Sequence, residues 1–435
     1  MHTRRRQLPS AFALFLAAAL IFASCGGSAP APSGEGAAPG TSPASDQAVV
    51  GILIDSTGDL GSIGEPVIQG AKLGFDAINQ AGGVWGKPII YKYYDTASDE
   101  AKAREMADQA INVDKVMGIV GALGSGLSKA VLAVAKTANV PMCSPSSSSP
   151  AFTTIDDNGL FVRTAASDAL QGQVAAELAY SEGYRRAAVI ALNNDYGAGF
   201  ADVFVEAFKK LGGEIATQPI LYDTKGSDFS GEVQKLAGAK PDVVLLVGYP
   251  DTGSIILKQA YEAGLLQSAH WILSEGMDDS GLPDKVGKDA QGKYILAGVQ
   301  GTSPLPTGPG FDEFQQLFEQ SQYEGRNATG PYVANGFDCA VLMSLALQWV
   351  GPEKARDGQA VAKAMIDLSR PTGSKVSNVK QALEMVSKGE KIDYDGASGT
   401  VDMSDVGDVL SQYKVWEITA DGKLVQVKII QPTGQ

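Results

Sequence analysis

The chain has 435 residues, of which 44% are apolar and 19% are charged, and its formal net charge is −14. These are ordinary globular values, and they exclude a disordered or fibrous chain. The acidic balance also excludes a nucleic-acid binder, because such proteins depend on a basic surface. About 400 folded residues exceed what one hydrophobic core usually serves, so we expect two lobes.

The first 24 residues predict an export signal. Basic Arg4–Arg6 precede an apolar run over residues 11–23, which is shorter than the roughly 20 residues that span a bilayer. The order Phe22-Ala23-Ser24-Cys25-Gly26-Gly27 resembles a bacterial lipobox, and this implies that Cys25 is the lipidated first residue of the mature protein. Ordinary secretion with a free N-terminal cysteine is the alternative. Residues 25–46 are mostly Gly, Ala, Pro and Ser, which predicts a flexible linker.

After the linker, short β-branched runs alternate with amphipathic helices. The first unit has predicted strands at 49–54, 89–94, 116–120 and 140–143, with helices at 66–81, 100–113 and 127–138. The second unit has predicted strands at 187–192, 215–221, 243–247 and 271–273, with helices at 197–211, 229–236 and 252–263. This alternation predicts an α/β protein with two doubly wound parallel sheets.

The remaining residues are too few for a third core. They contain predicted helices at 332–349, 360–368 and 376–387 and a strand pair at 413–419 and 424–429. We therefore expect them to be shared between the two lobes, with the chain crossing between the lobes more than once.

Two cysteines lie beyond the linker, Cys143 at a predicted strand end and Cys339 inside a predicted helix. We expect two buried free thiols rather than a disulfide, because buried cysteine commonly behaves as a small hydrophobic residue. On this interpretation the fold does not rest on a disulfide.

The residues that would support catalysis are scarce. His270 is the only histidine after the export signal, no Gly-x-Ser-x-Gly motif is present, and we expect His270 to lie beside Trp271 outside the cleft. No spaced His/Cys cluster or acidic loop predicts a metal site. The turn at 121–126 follows a strand and opens a helix, but it lacks the spacing of a nucleotide-binding loop, so we expect no cofactor.

The same turn predicts an anion site. The N–H groups and the positive end of the helix dipole meet there, and Ser125 adds a hydroxyl donor, so a carboxylate would fit. Helix capping alone is the alternative role for Ser125. A second set of donors, Ser146–Ser149, follows the neighbouring strand. This run is either a plain polar loop or, since carboxyl ends of parallel strands share an edge, part of the same site.

Polar and aromatic residues follow the strands of the second unit. Glu275 comes directly after a strand, and it is either solvated or the acceptor for an ammonium group. Tyr196, Tyr249 and Tyr332 lie near the ends of elements, where they either pack or cover a ligand.

Many of these motifs occur, in the same order, in periplasmic leucine/isoleucine/valine-binding proteins, which residues 47–430 resemble. The matching segments are Val49–Gly64, Gly82-Gly83, Gly121–Ser125, Ser144–Pro150, Asn194–Gly197, Gly248-Tyr249-Pro250, Ser274-Glu275-Gly276 and Gly330-Pro331-Tyr332. The resemblance implies the type I periplasmic-binding-protein fold, in which two Rossmann-like lobes are joined by three crossovers and close as a hinge over the ligand. We place lobe 1 at 47–166 plus about 300–395, and lobe 2 at 167–299 plus about 396–435.

The resemblance also implies roles for individual residues. Ser125 and Ser148 would donate to the ligand's α-carboxylate, with help from the backbone near Ser146, and Glu275 would accept from its α-ammonium group. Tyr196 would close over the ligand from lobe 2. The remaining predicted lining residues are Tyr249, Tyr332, Leu123 and Ile63, the last standing where relatives often have an aromatic residue.

The expected function is that of a monomeric, lipid-anchored substrate-binding protein of the periplasm or cell envelope. It would bind an aliphatic L-amino acid such as leucine, isoleucine or valine and deliver it to an ABC permease of the inner membrane. We expect no catalysis, no cofactor, no metal, no nucleic acid, and membrane contact only through Cys25. The alternatives are the same fold with an aromatic carboxylate, an amide or urea as ligand, a sensory ligand-binding module, and a secreted hydrolase with His270 in the cleft.

Overall fold

The computed structural model describes residues 47–305, 308–323 and 328–430. The predicted export signal, Cys25 and the linker lie outside the described residues. The strands are β1 Val49–Leu53, β2 Ile90–Tyr94, β3 Ile119–Gly121, β4 Met142–Ser144, β5 Phe161–Arg163, β6 Arg186–Leu192, β7 Glu214–Ile215, β8 Ile220–Tyr222, β9 Val243–Val247, β10 His270–Leu273, β11 Gln300–Pro304, β12 Ser374–Val376, β13 Ile392–Tyr394, β14 Tyr413–Ile418 and β15 Leu424–Ile430. The helices are α1 Gly61–Gln80, α2 Glu100–Asp108, α3 Ser125–Ala138, α4 Asp168–Ser181, α5 Asp195–Lys210, α6 Ser230–Ala239, α7 Pro250–Glu262, α8 Leu265–Ser268, α9 Leu282–Val286, α10 Phe311–Glu319, α11 Val333–Val350, α12 Gly358–Leu368 and α13 Val379–Ser387.

Most strands of the described residues belong to two large sheets. The first is parallel, in the order β2-β1-β3-β4-β5. The second has the order β15-β14-β11-β10-β9-β6-β7, with β8 also paired to β6, and its antiparallel pairs are β11 with β14 and β14 with β15. In each sheet the chain winds first to one side of its opening strand and then to the other. This is the doubly wound topology, whose ligands bind beyond the carboxyl ends of the strands.

Local sequence explains these elements. The strands β1 and β9 are almost wholly apolar and buried, as expected for strands covered on both faces. Helix α2 begins after Asp99, whose carboxylate accepts from two N–H groups of the first turn, and α5 begins after Asn194, which caps it in the same way.

The doubly wound α/β prediction is confirmed, and every predicted strand and helix has a counterpart, in most cases with shifted ends. Residues 215–221 form two short strands, β7 and β8, rather than one, and the segment Gln109–Val113 continues α2 as a π-helix. The sequence did not predict several further elements, among them β5, α4, β11 and α10.

Each large sheet has its own buried hydrophobic cluster. The first cluster combines the five-stranded sheet with α1, α3 and α11–α13, and the second combines the larger sheet with α4–α7. Within the described residues the chain passes between the clusters three times, at 165–175, 299–314 and 409–415.

Two of these crossings come later in the chain than the sequence indicated. The strand Gln300–Pro304, which we had assigned to lobe 1, pairs with β10 and β14 of the second sheet. Residues 397–409, which we had assigned to lobe 2, contribute Val401, Met403 and Val409 to the first cluster. They are held there because the buried carboxylate of Asp338 on α11 accepts the N–H groups of residues 397 and 398.

Helix α11 is the core helix of the first cluster. It is long and apolar enough to span a membrane, but 83% of that stretch is buried inside the fold. Its Cys339 forms a disulfide with Cys143 of β4, with the two Cα atoms 5.5 Å apart. The expectation of two free thiols is therefore wrong. Because α11 packs against β3 and β4, it brings together two cysteines that are 196 residues apart in sequence.

Candidate ligand-binding site

A cavity of about 320 Å³ lies where loops at the carboxyl ends of strands from both sheets face each other. It brings together all nine residues that the sequence singled out as candidate ligand contacts. They are Ile63, Leu123, Ser125, Ser146, Ser148, Tyr196, Tyr249, Glu275 and Tyr332. The sequence did not single out the other three lining residues, Leu60, Gly124 and Gly276.

Hydrogen bonds join the glycine-rich turn (residues 121–126) to the serine loop (residues 144–150). The hydroxyl of Ser144 donates to the Ala122 carbonyl at 2.8 Å, and that of Ser146 donates to the Leu123 carbonyl at 2.7 Å. Gly121 has φ +136°, and a Cβ atom there would lie 2.0 Å from the Leu53 carbonyl oxygen. Only glycine allows this approach, so the turn and the loop form one connected wall of the cavity.

Ser125 is the first residue of α3, and Gly124 is the N-cap. The alternative that Ser125 serves only as a cap is therefore wrong. Its Oγ accepts from the N–H of Ser149 at 3.2 Å, and no described residue accepts its own proton. The first N–H groups of a helix have no carbonyl partner within the helix and lie at the positive end of its dipole. This wall can therefore bind a carboxylate.

Glu275 lies on the opposite wall and is 3% exposed. Its Oε2 accepts from Nε2 of Gln171 at 2.9 Å. Across the described residues, no Lys, Arg or His forms an ion pair with Glu275. Burial raises the pKa of Glu275 to about 7, and the hydrogen bond from Gln171 opposes that rise. A buried carboxylate with only neutral donors can pair with a cation that a ligand supplies.

Three tyrosines complete the wall around Glu275. The rings of Tyr196 and Tyr249 stack with centroids 5.6 Å apart, and the Tyr196 hydroxyl donates to Oγ of Ser274 at 2.8 Å. Tyr332 precedes α11 in the left-handed conformation, with φ +64°. Burial raises the pKa of each tyrosine well above its usual value, so all three remain neutral hydroxyls.

Buried polar residues behind this lining were missed by the sequence analysis. Gln171, Asp168 and Arg163 support the walls from β5 and α4. Asp168 opens α4, is fully buried, and donates its N–H to the Ser148 carbonyl at 2.7 Å. Burial, and then the charge of Glu275, raise the pKa of Asp168 well above its usual value. A signal was present: Ser167 followed by Asp168 and an apolar run is typical of a helix start, and Ser167 caps α4.

A second cavity of about 530 Å³ adjoins the first, and Glu275 and Tyr332 line both. Its walls include Asp278, which forms an ion pair with Lys414 at 2.8 Å.

His270 lies outside the first cavity. It opens β10, at the opposite end of the strand from Glu275, and its ring stacks on Tyr184 with centroids 5.0 Å apart. The hydrolase alternative needed this histidine in the cleft beside a serine, and the structure contradicts that placement. Among the described residues, no group of three or more His, Cys, Asp or Glu is arranged to hold a metal ion.

Comparison with known proteins places this chain in a family. The sequence profile of the periplasmic binding proteins matches residues 47–404. The Leu/Ile/Val-binding protein homolog 3 of Brucella melitensis is 27% identical over 323 residues, 73% of this chain and 83% of that protein. The leucine binding protein LivK of Thermotoga maritima has a TM-score of 0.73 at 21% identity, covering 88% of this chain and 99% of its own.

A solute binding protein of an ABC transporter from R. palustris, solved in complex with benzoate, has a TM-score of 0.70 at 17% identity. The match covers 89% of this chain and 97% of that one. These likenesses in structure show the fold, and the profile match shows the family. The chain therefore belongs to the periplasmic binding proteins, a family of substrate-binding and non-catalytic proteins, and it has the type I fold that the leucine/isoleucine/valine-binding members share.

Proposed function

We propose that this protein is the substrate-binding component of an ABC importer and that its ligand is an aliphatic, branched-chain L-amino acid. The observation that carries the proposal is Glu275, a buried carboxylate whose hydrogen-bond donors are all neutral. An α-ammonium group would supply the missing positive charge. Closure of the lobes over the ligand removes both charges from water, so each end needs charge-assisted hydrogen bonds from the protein.

The opposite wall supplies donors for the α-carboxylate. These are the hydroxyls of Ser125 and Ser148, the backbone near Ser146, and the first N–H groups of α3. The arrangement gives a positive helix end on one side and a carboxylate on the other, which suits a zwitterion.

The lining of the cavity favours a small aliphatic side chain. Aliphatic and aromatic side chains line the cavity beside its polar groups, as is usual for small-molecule sites. Ile63 and Leu123 would contact the side chain together with Tyr249 and Tyr332, and Tyr196 would close over it. Because one methylene is worth only about 1–3 kcal/mol, discrimination among leucine, isoleucine and valine should be modest.

The first prediction is that leucine, isoleucine or valine raises the melting temperature of the purified protein. At a concentration 100 times the dissociation constant, the gain in the free energy of unfolding is about 2.7 kcal/mol. Differential scanning fluorimetry across all amino acids measures it. N-acetyl-leucine, which lacks the ammonium group, and leucinamide, which lacks the carboxylate, are the matched controls and should give little shift.

The competing ligand class is an aromatic carboxylate. The serine wall would serve it equally well, but Glu275 would then face no cation. A panel in which benzoates shift the melting temperature and no amino acid does would overturn the proposed substrate.

We also propose that Cys25 carries a lipid anchor and that the export signal ends at residue 24. The lipobox-like order of residues 22–27 supports this. The second prediction is that Cys25→Ser moves the protein from the membrane fraction to the soluble fraction, measured by immunoblot of separated fractions. Equal membrane association of the variant and the parent protein would contradict the anchor.

Delivery to a permease is the role we propose over sensing. The measurement is stimulation of the ATPase of a reconstituted partner permease by the ligand-loaded protein. Receptor activation without such stimulation would favour the sensory alternative.

A further inference from the structure

Arg163 is a fully buried cation that contacts the serine loop from behind. Its side chain is 0% exposed. Its Nη1 donates to the carbonyl oxygens of Ser147 at 3.1 Å and Ser149 at 2.8 Å. These two carbonyls flank Ser148, so the guanidinium holds the backbone on both sides of a residue that lines the cavity.

The guanidinium is itself anchored to a segment far away in sequence. Its Nε donates to Oδ1 of Asp408 at 2.7 Å, and Nη2 donates to the hydroxyl of Thr153 at 3.2 Å. Thr153 in turn donates to Oδ2 of Asp408 at 2.6 Å. Residue 408 immediately precedes the last crossing of the chain between the two hydrophobic clusters. The serine loop is therefore connected, through one side chain, to that crossing segment.

The contacts also determine which way the loop presents its polar groups. The Ser147 and Ser149 carbonyls accept from Arg163, and the Ser148 carbonyl accepts from the N–H of Asp168. These three carbonyls are bonded to Arg163 and Asp168, whereas the Ser148 N–H has no acceptor among the described residues. A planar guanidinium can make this set of bonds because it carries five donors in a fixed fork, whereas a lysine ammonium cannot.

We propose that Arg163 is a positioning residue for the ligand's carboxylate, which keeps the Ser148 backbone oriented toward the cavity through the Ser147 and Ser149 carbonyls. It does not touch the ligand. This inference rests on the proposed function for the identity of the ligand, but the geometry of the loop is a property of the chain itself.

The test compares Arg163→Lys with Arg370→Lys. Arg370 is the control because it also donates to a backbone carbonyl, that of Met403 at 2.7 Å, and pairs with an acid, Asp405 at 2.7 Å, yet makes no hydrogen bond to the serine loop. We expect Arg163→Lys to weaken amino-acid affinity at least tenfold in calorimetry, and Arg370→Lys to change it less than twofold. The amide hydrogen exchange of residues 146–149 in the ligand-free protein should rise in the first variant only.

Asp408→Asn provides a milder second variant, which removes the charge that anchors the guanidinium and leaves the arginine in place. We expect it to weaken affinity several-fold. A lower melting temperature with unchanged affinity and unchanged exchange in both variants would overturn the proposal, because Arg163 would then be only structural. If the parent protein binds no amino acid, the proposed substrate fails, and the exchange of residues 146–149 still decides the role of Arg163.

Discussion

Replacing Glu275 with glutamine should strongly weaken amino-acid binding and at the same time stabilise the ligand-free protein near pH 8. The substitution keeps the size of the side chain and an oxygen that can accept from Gln171. It removes the charge that would pair with the ligand's ammonium group. Losing one partner of a buried charge pair costs about 2–5 kcal/mol, so we expect the dissociation constant to rise roughly 30-fold to several thousand-fold, measured by calorimetry.

The gain in stability follows from the sign of the pKa shift. Burial raises the pKa of Glu275 from 4.5 to about 7, so the folded protein binds the proton more tightly than the unfolded chain. Its contribution to the free energy of unfolding is therefore largest below pH 4.5 and falls as the pH rises through 7. At pH 8 the ligand-free protein holds an ionised carboxylate in a buried site, and glutamine relieves this cost.

A matched control is Glu313→Gln, since Glu313 is half-buried and burial also raises its pKa, but it does not line the cavity. That variant should leave affinity unchanged. If Glu275→Gln bound leucine within tenfold of the parent protein, Glu275 would not be the ammonium acceptor. A lower melting temperature of the ligand-free Glu275→Gln variant at pH 8 would contradict the electrostatic argument.

The affinity for an amino acid should fall as the pH is lowered below 7. Only the ionised carboxylate of Glu275 can pair with an ammonium group, so below its pKa of about 7 ligand binding must release a proton. The affinity should then drop about tenfold for each pH unit, or about 100-fold between pH 8 and pH 5. Calorimetry over this pH range measures the effect.

The same profile separates the two ligand classes. An aromatic carboxylate has no ammonium group, so an ionised Glu275 disfavours it and its affinity should rise as the pH falls. In the Glu275→Gln variant the pH dependence should flatten for either ligand. An amino-acid affinity that is constant between pH 5 and pH 8 would mean that Glu275 keeps its charge throughout or does not contact the ligand.

The sequence predicted the residues that line the site better than the buried residues that hold them in place. The glycine-rich turn, the serine loop and Glu275 each follow an apolar strand, and parallel strands present their carboxyl ends at one edge of a sheet. That rule is local enough to apply to one segment at a time, and the structure brings all nine predicted residues to one cavity. Ser125 shows the limit of this rule. The sequence could not distinguish a helix cap from the first residue of the helix, and Ser125 is that first residue and accepts from the N–H of Ser149.

The supporting contacts could not be predicted in this way, because they join segments far apart in the chain. Gln171 reaches Glu275 over 104 residues, and Arg163 reaches Asp408 over 245. No periodicity or motif in one segment indicates which distant segment will pack beside it. The points at which the chain crosses between the clusters differ from the predicted ones for the same reason. Strand pairing holds Gln300–Pro304 in the second sheet, and Asp338 holds residues 397 and 398 near α11.

Apolar periodicity and the residues that follow each strand were thus sufficient to establish the α/β class, the two wound sheets and the polar groups at their edges, since these depend on interactions within a few turns or strands. The disulfide between Cys143 and Cys339, the neutral surroundings of Glu275 and the burial of Arg163 came only from the packed chain. Each of them requires segments from distant parts of the sequence to meet, and that meeting is set by how the whole chain buries its apolar surface.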